Sequence, residues 1–176
     1  NYYESNTVQG YFNILFLPTQ VINLLSGFVF KPLLSQYGAA VGERDFIRFR
    51  QLYRRHLFLI GGLTVFCCLA GYLLGTQVLS LFYAVDLSAY RLELFLTILS
   101  GGFIAAGSMS YYLLVMLRKQ MWIFLNYAVN IGIGVVISVL LVKNFSILGG
   151  ALSILVSQAL LFFVFAIFLL FFTRRT

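Results

Sequence analysis

The residues of this sequence best placed to do chemistry are side-chain amides inside long apolar stretches. Asn13, Gln20 and Asn23 are spaced seven and three apart, so on a helix they lie near one stripe. Asn126 and Asn130 stand at i and i+4 in a later stretch. Amides there can hydrogen-bond a sugar or line a watery path. They can equally tie two helices together, at about 0.6 kcal/mol per contact. Lys31 precedes Pro32 at the end of the first stretch. Its ammonium either snorkels to the lipid headgroups or stands at a cavity mouth to hold a phosphate.

Other chemistry is poorly supplied. The acids are Glu4, Glu43, Asp45, Asp86 and Glu93, and the single histidine is His56. None of the acids lies deep in an apolar stretch, so an ion-coupling carboxylate is expected elsewhere. His56 is expected at a headgroup boundary, without a chemical role. Cys67 and Cys68 are adjacent, which suits neither a disulfide with each other nor a zinc site. No bond-making reaction, metal or cofactor is expected. A membrane glycosyltransferase or acyltransferase would need an acid- or histidine-bearing loop that is not found.

The elements that must position the amides are set by composition. The chain has 176 residues, 61% apolar and 10% charged, against about 25% charged in soluble domains. Lipid is therefore the solvent for most of it. A bilayer core about 30 Å thick takes roughly 20 apolar helical residues. Five stretches qualify, at about 10–34, 57–82, 92–117, 122–142 and 148–172. The fold class is all-α integral membrane with five transmembrane helices. Small residues such as Gly101, Gly102, Ala105, Ala106 and Ser110 suit close helix packing, and Pro18 predicts a kink.

Ten of the twelve cations fall in three regions that alternate with the other loops. Lys31 with Arg44, Arg48, Arg50, Arg54 and Arg55 form the first, Arg118 and Lys119 the second, Arg174 and Arg175 the third. Short basic loops stay cytoplasmic, so the C-terminus is expected inside and the N-terminus outside. The net charge of +7 then reads as an orientation signal and an attraction to anionic phospholipid, not as nucleic-acid binding. Segment 42–56 is amphipathic. Phe46, Phe49, Leu52, Tyr53 and His56 share one side and Arg44, Arg48, Gln51 and Arg55 the other. Such a helix either lies in the membrane interface or extends the second span. Its arginines are also candidates to meet an anionic lipid-linked substrate. An exported start without Met or a signal peptide leads us to expect preceding helices in a longer chain.

Several segments carry a resemblance when taken in order. They are Val8-Gln-Gly-Tyr-Phe12, Phe30-Lys-Pro-Leu-Leu-Ser35, Gly42-Glu-Arg-Asp-Phe46, Gly75-Thr-Gln-Val-Leu-Ser-Leu-Phe82, the Asn126/Asn130 pair and Ser146-Ile-Leu-Gly-Gly-Ala-Leu152. Together they resemble the C-terminal part of bacterial polysaccharide flippases, of the multidrug/oligosaccharidyl-lipid/polysaccharide exporter superfamily. The resemblance covers nearly the whole chain. It implies a two-bundle transporter of about 12–14 helices in the cytoplasmic membrane, with this chain as the last five. It also implies alternating-access transport of a lipid-linked oligosaccharide, with polysaccharide polymerase or assembly proteins as possible partners. No arginine lies deep in a span, and Lys31 is the nearest candidate for a cavity cation. A drug or cation exporter of the same superfamily, or a non-transporting subunit of an assembly complex, are the alternatives.

Overall fold

A computed structural model describes residues 2–174, with side chains from residue 9 onward. Its elements are α1 (Tyr2–Phe30), α2 (Leu34–Gly42), α3 (Phe46–Ala70), α4 (Thr76–Tyr83), α5 (Arg91–Met116) and α6 (Gln120–Arg174). Tight 3-10 turns at Lys31–Leu33 and Ser88–Tyr90 and a π-helical stretch at Gly71–Gly75 join several of them. There are no strands among the described residues. Four helical stretches are long and apolar enough to cross a membrane: Gln9–Gly42, Phe46–Tyr83, Ser88–Met116 and Gln120–Arg174.

The breaks follow local chemistry. α1 runs through Pro18 as one helix and ends at Phe30. Pro32 then sits in the 3-10 turn, where its missing N–H costs no helical hydrogen bond. The first stretch does not stop near Leu34, however; α2 carries it on to Gly42. Asp45 starts α3 as its N-cap, its carboxylate accepting the Arg48 N–H at 2.9 Å. The amphipathic segment is thus the opening of α3, continuous with the second long stretch. Its aromatic side does not face lipid: Phe49, Tyr53 and His56 are buried inside the protein.

There are four stretches rather than five because two helices abut at Ser146 with no loop between them and form the single element α6. Ser146 has φ 50° and ψ −122°, which is not helical. Beyond it the chain folds back. The Asn130 amide donates to the Ser157 carbonyl at 2.9 Å across 27 residues, whereas a straight helix would separate them by about 40 Å. Trp122 packs on Phe168 and Phe172, with ring centroids 5.1 and 5.9 Å apart. Gly149 sits where the arms meet, and a Cβ there would overlap the backbone of Leu141.

α5 is the central post. Gly101, Gly102, Ala105, Ala106 and Ser110 are buried along it, which lets α1, α3 and α6 pack against it. Thr97 Oγ1 donates to the Leu15 carbonyl at 2.9 Å, and Thr19 Oγ1 donates to the Thr97 carbonyl at 2.6 Å. One apolar cluster holds Phe30, Tyr37, Phe49, Tyr53, Leu113 and Phe165; a second, at the other end, holds Leu15, Ile22, Cys68, Leu94, Ile98 and Ile147.

Cations gather at the first end. Arg50 Nη1 donates to the Thr173 carbonyl at 2.9 Å, and Lys119 Nζ stands 4.6 Å over the Phe172 ring. The start of α3 and both termini of α6 therefore share that end. Arg175, the last of the expected basic residues, lies outside the described residues.

Candidate functional site

The sequence amides divide into two groups by partner. Asn126 is buried and its amide donates to the Leu161 carbonyl at 3.4 Å; Asn130 donates to Ser157 as above. These two hold the arms of α6 together through their amide nitrogens, which is the interhelical role weighed from sequence. Asn13 and Gln20 are exposed. The buried face of α1 carries Leu15, Thr19, Ile22, Ser26 and Phe30. At about 100° per residue, Asn13 and Gln20 lie roughly 120–140° round the helix from it. They point away from this bundle.

Asn23 and Lys31 lie at the flank and come together. With Ser26, Gly27, Ser108 and Tyr112 they line a cavity of about 260 Å³ between α1 and α5, near the basic end. Ser26 is 5% exposed. Its hydroxyl oxygen and Glu93 Oε2 are buried without a hydrogen-bond partner among the described residues. A buried hydroxyl left unpaired costs about 1–3 kcal/mol. An oxygen in that state, in the wall of a cavity, is a position prepared for a polar guest or water. Lys31 is exposed at the same cavity, so an anionic group could meet an ammonium, an amide and three hydroxyls there.

The arginines of the basic segment take separate roles. Arg44, Arg48, Arg54 and Arg55 are exposed, and Arg50 is half-buried on the end of α6. Arg48 pairs with Glu43 at 3.5 Å with both side chains largely exposed, a pair that contributes little to stability. No group of three or more metal-binding side chains occurs among the described residues.

His56, expected near a headgroup boundary, is buried by the protein itself, 5% exposed, with its Nδ1 2.6 Å from the Tyr37 hydroxyl. Tyr53, one turn earlier, pairs its hydroxyl with Ser110 at 2.9 Å. The signal was present as the aromatic side of segment 42–56. What hid it was α2, whose Tyr37 covers that side.

No family model, curated protein or solved structure matches this chain.

Proposed function

We propose that this chain forms one bundle of a membrane flippase that carries a lipid-linked oligosaccharide across the cytoplasmic membrane by alternating access. The observation that carries the reading is the cavity near the basic end, where exposed Lys31 meets Asn23 and the unpaired Ser26 hydroxyl. A cation beside neutral donors suits the phosphate of a lipid carrier and repels a cationic drug. The exposed amides support the same reading. Asn13 and Gln20 in hydrocarbon would be costly, so they belong against a watery path or a second set of helices. The order of sequence motifs points to the same class of transporter.

On this reading the chain crosses the membrane five times. The two arms of α6, 120–145 and 147–174, are each about 40 Å long at 1.5 Å per residue, enough for a core about 30 Å thick. The basic end faces the cytoplasm by the positive-inside rule. Lys31 receives the pyrophosphate, and Asn13, Gln20 and Asn23 follow the sugar. Asn126 and Asn130 offer the path only the oxygens of their amides.

The decisive variant is Lys31→Glu in the complete protein. Export of glycan should fall at least tenfold at unchanged protein level, since about 1.4 kcal/mol of lost attraction already gives that factor. Lys31→Arg should keep most activity. Undiminished export by Lys31→Glu overturns the role, and resistance to a cationic drug that depends on the protein would favour a drug exporter.

A further inference from the structure

Beside the Lys31 cavity lies a second one that the transport reading does not use. It is about 170 Å³ and lined by Ser26, Phe30, His56, Ile60, Leu63 and Met109 among others. Ser26, Phe30, Ile60 and Met109 line both cavities, so the two are neighbours divided by four side chains. The dividing wall carries the unpaired Ser26 hydroxyl. The far wall carries His56, whose other face is held by Tyr37 from α2 at 2.6 Å. A polar sequence thus runs from Tyr37 through His56 and Ser26 to Asn23 and Lys31, inside an otherwise apolar core.

Histidine is the side chain whose ordinary titration falls in the physiological range, and His56 is the chain's only one. We infer that His56 is a proton-exchange site, linked by Tyr37 to α2 and by the Ser26 cavity to the Lys31 site. In the step itself the imidazole takes one proton from hydronium onto its unprotonated ring nitrogen, leaving water, and becomes a cation. Release returns that proton to water, and nothing else is consumed.

The consequences depend on which nitrogen is protonated at rest. If neutral Nδ1 accepts from the Tyr37 hydroxyl, protonation turns the bond round and leaves that hydroxyl hydrogen seeking another acceptor. If Nδ1 already donates, the new proton arrives on Nε2. Either way a charge appears in the core between α1, α2 and α5.

The groups facing it are few. Tyr37 comes from α2, Ser26 from α1 and Met109 from α5, while Arg55 and Tyr53 lie on α3 itself; Lys31 stands at the adjoining cavity. The charged neighbours are cations, so an anion at Lys31 would favour the protonated ring. Proton and anionic cargo would then bind together. The exchange site stands on geometry alone; its coupling to cargo rests on the proposed transport.

The test is imidazole NMR on the full-length protein in lipid nanodiscs, with labelled histidine and the His56 signal assigned by its loss in His56→Gln. The signal should pass reversibly from the neutral to the charged pattern between pH 5 and 8. Tyr37→Phe should move the midpoint about threefold in proton concentration, the size expected for one lost hydrogen bond of about 0.7 kcal/mol. A neutral pattern throughout that range overturns the proposal in the unmodified protein, whether or not the variant folds. An unmoved midpoint in folded Tyr37→Phe overturns the link to α2. A protein that titrates at His56 but exports no glycan overturns transport and leaves the exchange site. Export with an untitrating ring overturns the exchange site alone.

Discussion

At the basic end, two helices close with the same backbone device. The Asp45 N–H bonds to the Ala40 carbonyl and Arg44 N–H to Val41; likewise Lys119 bonds to Leu114 and Arg118 to Val115. This is the Schellman pattern, in which the left-handed residue is usually glycine. Here it is arginine both times, at φ 56°. Among the described residues, the opposite end has no matching pair of backbone bonds. Ala84 closes α4 at φ 53°, Ser80 Oγ accepts the Leu87 N–H at 3.0 Å, and Ser146 turns the chain sharply back. There the Ser88 hydroxyl, and after it the Ser88 N–H that Asp86 accepts at 2.9 Å, lower the Asp86 carboxyl from its ordinary value.

The packing differs as well. The basic end is filled by interlocking aromatics and three buried or half-buried polar ties, Tyr37 to His56, Tyr53 to Ser110 and Arg50 to Thr173. The other half has an open apolar groove of about 770 Å³ bordered by Pro18, Phe66, Gly71, Gly75, Leu94 and Ile98. The π-helical stretch falls on that groove, and its Gly71 and Gly75 let Ile98 and Leu94 lie against the backbone. Both ends carry buried side-chain bonds, Thr97 to Leu15 and Thr19 to Thr97 at the second, but only the second adds an open groove where side chains lie against glycine backbone. That contrast suits a bundle whose basic end carries a charge-bearing site.

Three substitutions would break or sharpen the contrast. Gly149→Val drives a side chain into the Leu141 backbone, which cannot move aside. It should lower stability by about 3 kcal/mol and abolish cross-linking between cysteines placed at Asn130 and Ser157. A variant as stable as the parent would mean the arms are not held by backbone contact. Next in size, Arg118→Gly removes the strain of a left-handed arginine and should raise stability by about 1 kcal/mol, read as a higher unfolding temperature in detergent. A lower temperature would show that the arginine side chain, not the turn, secures that end. Smallest, Asn130→Ala should cost about 0.6 kcal/mol and lower glycan export only slightly, through the loss of one amide oxygen. A large loss of export at normal stability would move Asn130 from a tie between arms to the transport path.

Much of this architecture could be read from residue order because lipid simplifies the pattern. Apolar length marks a helix, and Pro32 marks the end of α1 at Phe30. The alternation of cations marks which ends lie together, and Arg50 on Thr173 agrees. What stayed hidden depends on contacts between distant segments. α2 is too short to signal itself, yet it converts the aromatic side of α3 from a lipid-facing surface into core. The Asn13 stripe and the Asn126 pair look alike as sequence. Only the fold shows that Asn13 and Gln20 face outward, that Asn23 lines a cavity and that the pair is already occupied. The unpaired state of Ser26 likewise arises from three helices meeting, which no spacing encodes.

The fold-back at Ser146 also bears on how the chain is assembled. Pairing of its arms closes loops of only 27 and 35 residues through Asn130 and Asn126, and short loops close quickly and at low entropic cost. On the proposed five-span reading, the two arms enter the bilayer as a hairpin, each amide finding its carbonyl on the way in. On that same proposal Lys143, beside the turn, is the cation that the pair carries across.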